Sequence, residues 1–131
     1  MTNNNYLIDS NIIIYHLNNN KVATNFLIKY LELSAISLIT YIEVLSFDFD
    51  SIDEENQVKE LLNQFTIFDI DKSVSKQALI NRKLKRIKLP DNIIVSTAQV
   101  NNLTLVTRNI KDFNMVDIKV LNPFESKEKA I

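Results

Sequence analysis

The alternation of short apolar runs with segments of helical spacing is the feature that most constrains the fold of this chain. Apolar runs typical of strands occupy residues 6–8, 35–38, 66–70, 103–106 and 118–121. Between them, apolar side chains recur with helical spacing, as at positions 23, 26, 27, 30 and 31 and again at 58, 61, 62 and 65. Such alternation favours right-handed crossovers between parallel strands. The sequence therefore predicts a three-layer α/β/α fold with a mainly parallel sheet of about five strands.

Length and composition favour a single domain and exclude several kinds of site. The chain has 131 residues, of which 46% are hydrophobic, and this suits one compact core. We expect one domain over residues 1–125 and a loose, charged tail over residues 126–131. The absence of cysteine excludes disulfides, thiolate nucleophiles and cysteine-bound metals. The absence of glycine excludes the glycine-rich loops that cradle phosphates in nucleotide-binding proteins.

The chain carries no sign of a membrane or secretory protein. Residues 1–5 lack the basic flank and long apolar core of a signal peptide. No apolar stretch is long enough to span a bilayer. We therefore expect a cytoplasmic protein that does not associate with membranes.

Four acidic residues lie beside the expected ends of strands and helices. Asp9 follows the first strand, and Asp112 lies in the loop after the fourth. Asp91 follows Pro90 at the start of a helix, and Glu43 lies in the helix after the second strand. In open parallel sheets, ligands bind at the edge where the strands end. If strands one and four are neighbours, all four acids lie at that edge and form a candidate functional site.

Each of these acids also has an ordinary structural interpretation. Asp9 is a plausible helix cap, and Asp91 suits the positive end of a helix dipole. Glu43 stands three residues after Thr40, in the pattern of a capping box, and Asp112 could be a solvated loop residue. The order and shared edge of the four acids, rather than any one of them, indicate a site.

In four segments the chain resembles the PIN-domain ribonucleases, and among them the VapC-type toxins of type II toxin-antitoxin pairs. The segments are YLIDSNI at residues 6–12, SLITYIEVL at 37–45, LPDNIIVSTA at 89–98 and LVTRNIKDF at 105–113. They follow the order and approximate spacing of that family over nearly the whole chain. Two departures are mild: Ser10 stands where threonine is common, and Val95 and Ser96 replace small alanines.

The resemblance implies a PIN-like α/β fold and a Mg²⁺- or Mn²⁺-dependent endoribonuclease. It further implies hydrolysis of RNA such as tRNA, inhibition by a cognate antitoxin, and a homodimer. The residues that match the catalytic and metal-binding acids are Asp9, Glu43, Asp91 and Asp112, and those that match supporting polar positions are Asn11, Thr107 and Asn109. Oxygen ligands of this kind suit magnesium, which is usually held by a few carboxylates and waters.

A group of cations precedes Pro90 and is called the basic segment below. It spans residues 82–88 and consists of Arg82, Lys83, Lys85, Arg86 and Lys88. A net charge of -1 gives the chain no general attraction to nucleic acid, so RNA binding requires such a local cluster. The segment could equally be a solvated helix face or complement a helix C-terminus.

Two other functions stay open on the sequence. A receiver-like signalling domain is also a parallel α/β unit with an acidic magnesium pocket, and Thr107 after the fourth strand suits it. Against it, the last strand ends in Asn122-Pro123 without the lysine expected there. The other possibility is a PIN-like fold that binds a ligand without catalysis.

Overall fold

The computed structural model describes residues 4–114 and 116–125, and its strands form a single parallel sheet. The strands are β1 (Tyr6–Ile8), β2 (Ser34–Ser37), β3 (Thr66–Phe68), β4 (Thr104–Val106) and β5 (Val120–Leu121). The predicted α/β fold is confirmed, although the last four strands start or end one or two residues from the predicted bounds. The predicted tail over residues 126–131 lies outside the described residues.

The helices follow N-cap residues, and in all the α-helices of the described residues but the last, the capping side chain accepts a hydrogen bond from a backbone N–H. They are α1 (Ser10–Leu17), α2 (Lys21–Tyr30), α3 (Leu38–Leu45), α4 (Ile52–Leu62), α5 (Lys72–Leu84) and α6 (Leu89–Val100), with short 3-10 helices at Leu31–Leu33 and Ile110–Asp112. At the start of α5, Asp71 accepts a hydrogen bond of 2.9 Å from the N–H of Val74. Across residues 4–114 and 116–125, no helix is long and apolar enough to cross a membrane.

Both faces of the sheet are covered by helices. Successive side chains of a strand point to opposite faces, so Ile8 and Val106 join a core with α1 to α4, whereas Leu7 and Leu105 join a core with α6. All four of these side chains are fully buried. The central strands β1 and β4 are therefore held rigidly between two apolar layers.

Asparagine takes the place of glycine at two helix ends. Asn19 after α1 and Asn102 after α6 have positive φ values of 66° and 56°. This left-handed conformation lets the backbone fold back on the helix: Asn102 N–H donates to the carbonyl of Gln99, and Leu103 N–H donates to that of Ala98. Asparagine tolerates the conformation better than most residues, and the chain has no glycine to use there.

The strand order β3-β2-β1-β4-β5 places a topological switch point between β1 and β4. From β1 the chain proceeds to one side through β2 and β3, then crosses back to β4 on the other side. Connections therefore leave the two central strands in opposite directions and open a crevice at their carboxyl ends. Asp9 and Thr107 are the first residues after these strands.

Candidate functional site

Asp9 is both a helix cap and a residue of the switch point. Its Oδ1 accepts a 2.7 Å hydrogen bond from the N–H of Ser10. Its Oδ2 accepts a 2.7 Å hydrogen bond from the hydroxyl of Thr107 across the β1/β4 crevice. With 5% of its surface exposed, Asp9 is a buried carboxylate held from both oxygens.

Glu43 is hydrogen-bonded to Ser10, the residue that follows Asp9. The Ser10 hydroxyl donates to Oε1 of Glu43 at 2.6 Å and lies 3.1 Å from the hydroxyl oxygen of buried Thr40. The interpretation of Thr40 and Glu43 as a capping box is wrong, because α3 begins at Leu38 and its N-cap is Ser37. Glu43 lies in the second half of α3, and its oxygen contacts α1.

Asp91 and Asp112 complete the acidic edge. Asp91 lies in the first turn of α6, after Pro90. Asp112 ends the 3-10 helix that follows β4, where its side chain is exposed to solvent. The four acids thus come from four separate elements, all near the carboxyl edge of β1 and β4.

The pKa values of Asp9 and Asp91 are raised by burial and by the charges of neighbouring acids. Burial is the main cause that raises the pKa of Asp9, to about 6, and repulsion from Asp91 and Glu43 raises it further. The hydrogen bonds from Thr107 and Ser10 act in the opposite direction. Burial also raises the pKa of Asp91, as do the charges of Asp112 and Glu43. Asp91 therefore interacts with each of the other three acids.

No side-chain cation of the described residues forms an ion pair with these acids. In the part of the chain that the structure describes, the ion pair present joins Lys59 and Glu55 at 3.5 Å, away from the site. Within that part, no three acidic, histidine or cysteine side chains already stand in the arrangement of a metal site. Among the described residues, the negative charge of the acidic edge is therefore not neutralised by an ion pair.

The available donors suit a hard divalent cation. They are carboxylate oxygens that repel one another, and a bound cation would relieve this repulsion. Next to them, the side-chain oxygen of Asn11 is buried and lacks a hydrogen-bond partner among the described residues. The chemistry of the donor set therefore fits magnesium or manganese.

Thr107 is the centre of the supporting polar contacts. Its hydroxyl oxygen accepts from the side-chain amide of Asn11 at 3.3 Å and from the backbone N–H of Asn109 at 3.0 Å. Its own proton is thereby directed to Asp9. Asn109 thus contacts Thr107 through its backbone N–H and not through its side chain. The sequence alone did not indicate this kind of contact.

The basic segment joins the end of α5 to the start of α6. All five of its cations are exposed. Arg82 donates from its guanidinium to the carbonyl of Ile87 at 3.2 Å, which fastens the connection. Lys88 is the N-cap of α6 and lowers the pKa of Asp91. The segment therefore meets the acidic edge at Lys88.

Sequence reasoning missed two features of this edge. Ser10 appeared only as a variation on a common threonine, whereas its hydroxyl holds Glu43. Arg108 stacks its guanidinium 4.3 Å from the ring centroid of Phe124 and 5.1 Å from that of Tyr15. No local pattern connects these distant positions, so only the fold reveals the contacts.

The structure thus defines a doubly wound parallel α/β domain with carboxylates gathered at its switch point. The model of the PIN domain family matches residues 6–119. The chain belongs to the PIN domain family, so the predicted family is confirmed. Proteins with this domain are usually nucleases that use divalent metals, which supports a nuclease role for this chain.

Solved structures show the same fold. A toxin-antitoxin complex from Klebsiella pneumoniae contains a chain that is 34% identical, with a TM-score of 0.81 over 92% of this chain and 98% of that one. FitAcB from Neisseria gonorrhoeae matches at 26% identity and a TM-score of 0.79, over 92% and 99% of the two chains. VapBC-1 from nontypeable Haemophilus influenzae, at 21% identity, shares the fold with a TM-score of 0.75 over 92% and 98%. A search of curated proteins gave no match.

The strand order separates this fold from a receiver domain. Receiver-like sheets have the order 2-1-3-4-5, with the switch point between strands one and three. Here β4 pairs with β1, and β3 lies at the opposite edge beyond β2. The receiver-like alternative therefore does not agree with the fold.

Proposed function

We propose that this protein is a Mg²⁺-dependent endoribonuclease of the VapC type that hydrolyses phosphodiester bonds in tRNA or another structured RNA. The observation that carries the proposal is the group of four carboxylates at the switch point. The charges of Asp112 and Glu43 repel that of Asp91, and the four acids have no ion-pair partner among the described residues. A bound cation would relieve this repulsion, and acids with perturbed pKa values of this kind are often found at functional sites.

In the proposed site, Asp9, Glu43, Asp91 and Asp112 are the catalytic residues and would hold Mg²⁺ or Mn²⁺. Such an ion would polarise the scissile phosphate and lower the pKa of an attacking water. The polar neighbours orient the acids: the Thr107 hydroxyl fixes Oδ2 of Asp9. In the same way, the Ser10 hydroxyl fixes Oε1 of Glu43. Asn11 and Asn109 act one step further out, through Thr107.

The proposed partners follow from the relatives. The structure from Klebsiella pneumoniae, whose matching chain is 34% identical, is a toxin-antitoxin complex. We propose that this chain is likewise the toxin of a pair and is held inactive by a cognate antitoxin. A homodimer in the cytoplasm is the state in which we expect it to act.

The decisive experiment is cleavage of labelled tRNA by the purified chain. We expect cleavage with Mg²⁺ or Mn²⁺, none with EDTA, and a loss on the order of 100-fold in Asp9→Asn. Asp53→Asn is the matched control, because Asp53 is an exposed acid in the first turn of α4. Cleavage that persists both in EDTA and in Asp9→Asn would contradict the assigned site. RNA binding without cleavage by the wild-type chain would indicate a PIN-like binding module instead.

We further propose that the basic segment binds the RNA backbone beside the acids. Lys83 and Lys85 are exposed, so their charges can be reversed without disturbing the connection that Arg82 fastens. The double change to glutamate should weaken RNA binding and reduce the slope of log affinity against log salt by about two. Lys76→Glu is the control, because Lys76 is exposed on α5 but lies outside the basic segment. Unchanged RNA affinity and salt dependence would show that the basic segment does not bind RNA and is only a solvated surface.

A further inference from the structure

A network of buried polar side chains lies between α5 and α6. Asn81, Asn92 and Ser96 are 3%, 2% and 0% exposed. The side-chain amide of Asn81 donates to Oγ of Ser96 at 3.0 Å and to Oε1 of Gln99 at 2.7 Å. Ser96 in turn donates to Oδ1 of Asn92 at 3.1 Å. Amide and hydroxyl groups thus occupy a helix interface that apolar side chains could fill.

Asn92 fastens the first turn of α6 to the middle of α5. Its side-chain amide donates to the backbone carbonyl of Ala78 at 2.8 Å. Apolar packing tolerates small rotations and shifts of a helix, whereas hydrogen bonds weaken steeply when their angles change. The network therefore sets the rotation of α6 about its own axis and its height along α5.

The direction of Asp91 depends on that rotation. Asp91 directly precedes Asn92 and points about 100° away from it around the helix axis. With Asn92 turned to α5, the same turn of α6 sets where the carboxylate of Asp91 stands relative to Asp112 and Glu43. A loose or rotated first turn would carry Asp91 away from both.

We propose that Asn81, Asn92 and Ser96 are positioning residues that hold Asp91 in place for the metal at the acidic edge. This inference rests on the proposed function, because Asp91 has a metal to bind only if the site is a metal centre. Asn81 directly precedes the basic segment, whose connection to α6 is fastened separately by Arg82.

The test compares Asn92→Ala and Ser96→Ala with Asn101→Ala. Asn101 is a matched control, because its side-chain amide also makes a hydrogen bond, of 2.9 Å to the carbonyl of Thr97, but at the opposite end of α6. For each protein we would measure Mn²⁺ affinity by calorimetry, kcat and KM for RNA cleavage, and the melting temperature. Ser96→Ala changes little volume, so it provides a folded variant if Asn92→Ala does not fold.

We expect both network variants to weaken Mn²⁺ binding and lower kcat by about tenfold, as is typical for residues that orient metal ligands. KM for RNA should change much less, because the basic segment keeps its cations. Asn101→Ala should lower the melting temperature without changing Mn²⁺ affinity. If the network variants lose only thermal stability, the residues are structural and the positioning inference is wrong. Wild-type protein that neither binds Mn²⁺ nor cleaves RNA would overturn the proposed function and this inference together.

Discussion

Replacing Asp9 with asparagine is expected to stabilise the metal-free protein at neutral pH. The pKa of Asp9 is raised from 3.8 to about 6, so its ionisation costs about 3 kcal/mol of folding free energy. Asparagine removes this charge at nearly the same shape, and its side-chain oxygen can still accept from the N–H of Ser10. Its NH₂ group then faces Thr107, which must reverse its hydrogen bond at a cost of about 1 kcal/mol. The expected net gain is about 2 kcal/mol.

The pH dependence of this gain follows from the direction of the pKa change. Between pH 3.8 and about 6, folded wild-type protein retains the proton on Asp9 while the unfolded chain has lost it. The folded state then binds more protons, so the stability contributed by Asp9 falls as the pH rises. At lower pH both states are protonated, and at pH above about 7 both are ionised and the cost is complete. The advantage of Asp9→Asn should grow over that window and then stay constant.

Urea unfolding in EDTA from about pH 4 to 8 measures this difference. In samples without EDTA, free Mn²⁺ at about 100 times its dissociation constant should stabilise wild-type protein by about 2.7 kcal/mol and leave Asp9→Asn nearly unaffected. Asp53→Asn is the control, because that acid is exposed. An Asp9→Asn variant that is no more stable than wild type at pH 7.5, or whose advantage does not vary with pH, would refute the reasoning.

Two further changes test the contacts around the site and the glycine-free helix ends. Ser10→Ala removes the hydroxyl that donates to Glu43 at 2.6 Å and should lower kcat/KM for RNA cleavage at least tenfold, whereas Ser10→Thr should keep activity. If Ser10→Ala cleaves as fast as wild type, this hydroxyl does not orient Glu43. Asn102→Ala should lower the free energy of unfolding by about 1 kcal/mol because φ is 56° there, and Asn102→Gly should not. Equal unfolding midpoints of the two variants in urea would show that the positive φ carries no strain.

The parallel fold was predictable because its signals are local. Each strand is a short apolar run, and α2 and α4 show their buried faces in the spacing of apolar residues. The bounds were less certain at the strand ends. Ile118, for example, extends the predicted strand ahead of β5, yet the strand that pairs with β4 begins at Val120. Pairing depends on the neighbouring strand, which the local pattern does not contain.

The details of the acidic edge needed the fold. Thr40 and Glu43 have the spacing of a capping box, but Ser37, the last residue of β2, is the N-cap of α3. Thr40 therefore lies inside the helix and does not cap it. Glu43 is therefore free to accept from Ser10, which is 33 residues away in sequence. The network of Asn81, Asn92 and Ser96 was likewise hidden, because each residue alone resembles an ordinary polar helix residue. Burial becomes visible only when α5 and α6 pack together.

The distribution of charge, rather than its sum, explains how a chain with a net charge of -1 could hold RNA. Two residues separate Lys88 from Asp91, and Lys88 lowers the pKa of that acid while Asp112 and Glu43 raise it. A phosphate near this junction is attracted by the basic segment but repelled by up to four carboxylates. A divalent cation among the acids would cancel part of that repulsion. RNA affinity should therefore rise with Mg²⁺ in wild-type protein and rise less in Asp9→Asn, where one of the repelling charges is already removed.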